Sequence, residues 1–298
     1  MANAFRVWHR VIRVEDALHA TVRTEEYKVW EAALKGEDKE KAAQIQAHIN
    51  NADAWTDAKA LVAALNPVYK LLRLVDGFTP TVGKIYYKCL RVQELFEELA
   101  EQEDAPEWAG ELLRFWVADW GYLHCDLHSI GYLLDPEYHA HSKDCTKEVW
   151  DEFVRGATRM LKAAPPELGL SAAKLTLEYN RYRNKRGIYT TDVIAAAKDG
   201  PAHEWWQQWG KGEPTLRWVA MRALAQTTSA SCSEQGWSEY DYIHSRRRNR
   251  LGVQLASDLT KGHNMARLLC RFKKSRYEQK FHAHTDSDDP SDYGSDNL

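Results

Sequence analysis

Proline and glycine separate a series of amphipathic segments along the chain, and this pattern constrains the fold more than any other feature. Apolar residues in the segment 146–162 recur on one face at helical spacing. Pro165 and Pro166 end that segment, because proline lacks an amide donor and clashes with the preceding turn. Further helices are predicted to stop at Gly200 and to begin at Pro214. The sequence therefore predicts a mainly α-helical fold.

Three places depart from this helical pattern. Pro67 is expected to separate two helices, because a proline inside a helix removes one hydrogen bond. Segment 79–87 is rich in β-forming residues, and segment 128–136 is a short apolar run bounded by turn residues. Both features are typical of strands, so extended structure is the alternative for these two segments.

Composition limits the class of protein. The chain has 298 residues, of which 44% are hydrophobic and 12 are tryptophan, so it can bury a substantial core. It contains no run of about 18 apolar residues, and no membrane partner is expected. The first residues lack the apolar core of a secretory signal. The 5 cysteines are scattered, which is typical of reduced thiols in the cytosol or nucleus.

Charge is distributed unevenly, although the formal net charge is only -3. Residues 246–274 are strongly basic and residues 286–296 are acidic. Arginine suits phosphate groups, because its guanidinium donates two parallel hydrogen bonds to them. A solvated helix end explains such a run equally well. The arginines in question are Arg246, Arg247, Arg248 and Arg250.

Three blocks of the sequence resemble the hAT superfamily of DNA transposases, in its plant-type branch. The first is VYKLLRLVDGFTPTVGKIY at 68–86, and the second is LHSIGYLLDPEY at 127–138. The third, at 204–251, carries Trp-Trp, Pro-x-Leu, Ser-Glu-x-x-Trp-Ser, Ile-His and Arg-x-Arg-Leu elements in the family's order and spacing. This third block is the most specific of the three.

The resemblance implies a helical insertion domain packed on the last helices of an incomplete RNase H-like core, with dimerisation helices at the C-terminus. In the family, two aspartates and one glutamate hold two divalent metal ions for DNA strand cleavage and transfer. Glu234 occupies the position of that glutamate. Residues 1–60 are not expected to supply the aspartates, and one carboxylate cannot hold two Mg²⁺ or Mn²⁺ ions. We therefore do not expect this chain to be catalytic alone, and we expect no cofactor for the chain alone.

The resemblance also implies a domain organisation and a dimer surface. Residues 1–165 resemble the insertion domain, residues 166–275 the terminal helices and dimerisation region, and residues 276–298 form an acidic tail predicted to be disordered. The apolar faces of two C-terminal helices are the candidates for contact with another chain. The residues assigned to this surface are Leu216, Val219, Leu224, Trp237, Leu255, Leu259 and Leu268.

These observations predict a dimerisation module of a truncated or domesticated transposase, binding itself or another hAT-type protein, in the nucleus or otherwise the cytoplasm. One alternative is an active transposase or nuclease that uses Glu234 as third acid with Mg²⁺ or Mn²⁺. A second is a DNA-binding regulator that uses the arginines. A zinc site is a less favoured interpretation of six further residues. These are His124, Cys125, His128, His139, His141 and Cys145.

Overall fold

The described part of the chain is mainly α-helical, as the sequence predicts. The computed structural model describes residues 2–77, 79–230 and 252–272, together with Glu234, Trp237, Tyr240, Asp241 and Ile243. No strand occurs in these residues. The predicted acidic tail, residues 276–298, lies outside them.

The α-helices of the described residues are numbered in chain order. They are α1 (Ala2–Arg13), α2 (Glu15–Arg23), α3 (Glu25–Ala33), α4 (Glu37–Ile49), α5 (Ala52–Val75), α6 (Val82–Ala100), α7 (Ala109–Leu123), α8 (Asp126–Leu134), α9 (His139–Ser142), α10 (Lys147–Lys162), α11 (Ala172–Arg183), α12 (Thr191–Ala195), α13 (Ala202–Trp209), α14 (Pro214–Leu224) and α15 (Val253–Phe272). Short 3-10 helices span Pro136–Tyr138, Pro166–Leu168, Ala196–Asp199 and Gly210–Gly212.

The helix starts predicted near residue 146 and at Pro214 are confirmed, and the segment predicted to stop at Gly200 ends there as a 3-10 helix after an α-helix that stops at Ala195. The hydroxyl of Thr146 accepts a hydrogen bond from the backbone of Val149 at 3.5 Å and so caps α10. Thr190 caps α12 in the same way, and α14 begins at Pro214. Short polar side chains and proline therefore set these starts, as local chemistry dictates.

The expected break and the expected strands are not found. Pro67 lies inside the single helix α5. The neighbouring Val68 and Tyr69 are buried, and their packing offsets the missing hydrogen bond. Segment 79–87 enters α6 at Val82, and segment 128–136 is helical up to Leu134. A short buried apolar run does not distinguish helix from strand, which explains the error.

The chain divides into two compact units. The first consists of residues 1–72 and 92–118, and the second of residues 73–91 and 119–298. Helices α10 and α11, which flank residue 165, contact each other within the second unit, and the domain boundary expected there stays a prediction.

The second unit is organised around α8 and α14. Helix α8 packs on α10 and α14, and α14 also packs on α11 and α13. Gly156 permits the close approach of α10 to α8, since a Cβ there would lie 2.7 Å from the Cβ of Asp126. Trp206 is fully buried, and its indole Nε1 donates to the carbonyl of Leu134 at 2.6 Å. The core is therefore held by both packing and hydrogen bonds.

The first unit has a smaller core of its own. Val68, Val92 and Phe96 form its centre. Trp116 packs edge-on against Phe96, with ring centroids 5.8 Å apart. This core joins α5, α6 and α7 within the first unit.

Candidate interaction surface

Helix α14 holds three of the predicted dimerisation residues, and all three are buried in the chain itself. The relative exposure of Leu216 and Val219 is 0%, and that of Leu224 is 3%. They belong to the core cluster of the second unit. Another chain could contact them only if α14 left this core, so they do not form part of an accessible surface.

The N-terminus of α14 is anchored by a buried carboxylate. The backbone N–H of Leu216 donates to Oε2 of Glu178 at 2.7 Å. Burial raises the pKa of Glu178, although the hydrogen bond from Leu216 opposes this shift. Glu178 therefore satisfies a backbone donor that has no partner within the helix, at the end where the helix dipole favours negative charge.

Helix α15 presents two contrasting faces. Ala256 is fully buried and Thr260 is 9% exposed. Leu255, Leu259 and Leu269 are 53%, 46% and 54% exposed. Contiguous apolar surface of this kind is a feature of sites where another molecule binds. The predicted residues Leu255 and Leu259 are therefore accessible, whereas the side chain of Leu268 lies outside the described residues.

The exposed face of α15 has coiled-coil spacing. Leu255, Leu259, Gly262, Ala266 and Leu269 follow one another at intervals of four, three, four and three residues, and all five are exposed. This 4-3 alternation keeps one seam of a helix facing a partner helix. We call these five residues the seam. A Cβ built on Gly262 would meet nothing within 4 Å, so the middle of the seam is open.

The remaining predicted residues fall in a segment that the structure describes only in part. Trp237 is helical, 70% exposed, and its ring lies edge-on to Tyr240 at a centroid distance of 6.4 Å. Glu234 is exposed, and its backbone N–H donates to the carbonyl of Ala230 at 3.0 Å. The four arginines between residues 246 and 250 lie outside the described residues, so the predicted DNA contact stays a prediction.

The described residues do not fit a divalent metal centre. Over the ranges that the structure describes, no group of three or more His, Cys, Asp or Glu side chains could hold a metal ion. A two-metal site needs several converging carboxylates.

The zinc candidates lie in the second unit, where His124, Cys125 and His128 are neighbours and Cys125 Sγ lies 3.8 Å from Nδ1 of His128. His124 Nε2 lies 2.9 Å from Oε2 of Glu152, and His128 Nδ1 accepts from the backbone N–H of Cys125 at 3.2 Å. Burial, followed by the nearby His124, lowers the pKa of His128 to about 4. His139 Nε2 contacts the carbonyl of Tyr182 at 3.1 Å. Within the described chain, these side chains do not come together as a group able to hold a metal ion.

A buried ion cluster was not anticipated from the sequence. The Lys84 ammonium lies 2.9 Å from Oδ2 of Asp135 and also pairs with Glu137. Burial opposes the charge on Lys84, but the two carboxylates outweigh it and raise the pKa of Lys84. The single ammonium bridges the two carboxylates, and burial raises the pKa of Asp135, so this cluster fastens the start of α6 to the end of α8. In the sequence, the pair Asp135-Pro136 is typical of a helix end, but it does not indicate that Lys84 lies nearby.

Comparison with known proteins adds no assignment. No protein-family model matches the chain, and no curated protein matches it significantly. Among the described residues, none of the helices combines the length and apolar character that a transmembrane span requires.

Proposed function

We propose that this chain is a protein dimerisation module, and that the seam of α15 is the surface at which a second copy binds. The observation that carries this proposal is the exposure of Leu255, Leu259 and Leu269 along one face of α15, away from the buried Ala256 and Thr260. Full burial of an exposed leucine side chain contributes about 2 kcal/mol, so covering one that is already half buried contributes about 1 kcal/mol. A partner that covers the seam therefore gains stabilisation that the isolated chain lacks.

The geometry of the seam suits a symmetric pair. Helix α15 has 20 residues, which gives a length of about 30 Å. Two copies related by a twofold axis present the same face to each other, so one set of residues serves both chains. Gly262 and Ala266 in the middle allow the two backbones to approach closely, while leucines at both ends supply apolar contact.

The resemblance to hAT transposases supports the same assignment. The block at 204–251 resembles the family's C-terminal dimerisation region and lies directly before α15. On this basis we propose a truncated or domesticated hAT-type protein that acts in the nucleus, pairs with itself or a related chain, and does not cleave DNA alone. The incomplete RNase H-like core and a DNA contact by the arginines belong to this proposal.

Sedimentation at micromolar concentration tests the seam. We expect the wild-type chain to form a dimer and the Leu255→Glu/Leu259→Glu protein to be a monomer, because four carboxylates would meet in the closed seam. Both leucines are about half exposed, so the free energy of unfolding of the monomer should change by no more than about 0.5 kcal/mol per site.

A matched control separates the seam from apolar surface in general. Leu168 and Leu177 are 49% and 63% exposed and lie elsewhere in the second unit. The Leu168→Glu/Leu177→Glu protein should remain a dimer. A monomeric wild type would refute the dimerisation proposal, and a dimeric Leu255→Glu/Leu259→Glu protein would refute the assignment to the seam.

A further inference from the structure

The first unit contains a cavity that no feature of the dimerisation proposal uses. It has a volume of about 420 Å³ and is lined by residues of α1 and α5 and by Trp108. Ligand sites for small molecules have volumes of about 300–1,000 Å³ and are lined mainly by apolar and aromatic side chains. The size of this cavity therefore falls within the range of a small-molecule site.

Aromatic rings form much of the cavity wall. Phe5 stacks on Tyr69, with ring centroids 4.5 Å apart and an interplanar angle of 19°. Trp8 and Trp108 also line the cavity, and Trp8 remains 52% exposed. The negative faces of such rings attract organic cations, with tryptophan the most effective. The wall thus favours a ligand that is both apolar and positively charged.

The only charge among the residues that line the cavity in the described chain is negative. It belongs to Asp57, which is exposed and has no ion-pair partner in that part of the chain. The nearby Lys59 pairs instead with Glu15, at 2.6 Å. The carboxylate of Asp57 is therefore available to a ligand. An anion would meet this carboxylate with no lining cation to compensate it.

We propose that this cavity binds a small hydrophobic cation, an aromatic or aliphatic amine whose apolar body fills the space between α1 and α5. The ammonium group pairs with Asp57 and lies against the tryptophan faces. Ring stacking between Phe5 and Tyr69 preforms the apolar wall.

Two probes of matched shape and opposite charge test this proposal. They are 1-pyrenemethylammonium and 1-pyreneacetate, titrated into the full chain by calorimetry at low ionic strength. We expect the cation to bind about tenfold more tightly than the anion, from one solvent-exposed ion pair and one cation–π contact. Equal affinities, or no binding of the cation at its solubility limit, would refute the proposal.

Variants locate the binding in this cavity. Ala58→Trp places an indole ring inside the cavity and should abolish binding of the cation. If the Ala58→Trp protein does not fold, Leu61→Trp fills the cavity from its exposed rim instead. Asp57→Asn should lower the affinity for the cation about threefold, because it removes one solvent-exposed ion pair. Asp53→Asn, exposed on the same helix but outside the cavity, is the control and should have no effect. Binding that survives both tryptophan variants, or that ignores Asp57→Asn, would contradict the assignment.

The two proposals fail independently. The cavity lies within the first unit, and the seam lies in the second. The Leu255→Glu/Leu259→Glu protein should bind the cation with wild-type affinity. A loss of binding in that protein would refute a site confined to the cavity, whatever the oligomeric state proves to be.

Discussion

Helices α14 and α15 have similar apolar faces in the sequence but opposite environments in the structure. Leu216 and Val219 of α14 are fully buried, whereas Leu255 and Leu259 of α15 are about half exposed. Helical periodicity identifies which residues share a face, but it does not identify what covers that face. In α14 the cover comes from α8, α11 and α13 of the same chain. Within the ranges that the structure describes, the leucines of the α15 seam stay about half exposed, which makes the seam the better candidate for another chain.

The largest expected difference between the helices comes from a charge placed on each apolar face. Val219→Asp should lower the free energy of unfolding by about 4 kcal/mol or more, because it buries an unpaired carboxylate. Leu259→Asp should change it by no more than about 0.5 kcal/mol, because the new carboxylate stays in water. Urea denaturation followed by circular dichroism, with both proteins in their monomeric state, measures both. Similar losses would show that the contrast between α14 and α15 is wrong.

The buried anchor of α14 predicts a pH dependence of stability. Burial raises the folded-state pKa of Glu178 above its unfolded value, so the folded state disfavours the charged form. The folded chain therefore holds the proton of this carboxyl group more tightly than the unfolded chain does. Stability from this group is fully present below the unfolded pKa and is lost as pH rises through the folded pKa.

The Glu178→Gln protein isolates this effect. The unfolding free energy of the wild type, relative to the variant, should rise as the pH is lowered from 7 towards 4. Glu111→Gln, at a largely exposed carboxylate in the first unit, provides the control. A difference curve that is flat with pH, or that slopes in the opposite direction, would be inconsistent with a carboxyl group whose pKa is raised by burial.

The smallest expected effect concerns the middle of the seam. Gly262→Ala should raise the free energy of unfolding of the monomer by about 0.5–1 kcal/mol, because alanine is the better helix former and its Cβ meets no atom within 4 Å. The same methyl group should weaken the dimer if the two copies of α15 approach closely at this point. Thermal unfolding and sedimentation measure the two effects separately. A destabilised monomer would show that the seam is already covered within the chain.

Local chemistry made part of this structure predictable. Thr146, Thr190 and Pro214 mark helix starts through caps and fixed backbone angles, and the buried face of α14 follows from its periodicity. The contacts that depend on the tertiary fold were not predictable. Lys84 and Asp135 are 51 positions apart, so nothing local pairs them. The prediction that Pro67 separates two helices was wrong for the same reason, because tertiary packing decides whether a helix tolerates a proline.

The same limit applies to the sites. Sequence placed Leu255 and Leu259 on an interaction surface, where the structure leaves them accessible, but it placed Leu216, Val219 and Leu224 there as well. The sequence did not predict the cavity, because its wall combines Phe5 and Trp8 of α1 with residues of α5 that lie about sixty positions later in the chain. The sequence alone does not show whether an aromatic side chain fills a core or lines a cavity.

The interleaving of the two units has a consequence for the order in which the chain acquires its structure during translation. Residues 73–91 belong to the second unit but leave the ribosome before residues 92–118, which complete the first. Domains tend to form as soon as their residues are available. The first unit can therefore close once Ala118 has emerged, while residues 73–91 must wait for partners made later. During that interval Val82 and Ile85, which end up buried, are open to chaperones and to wrong contacts.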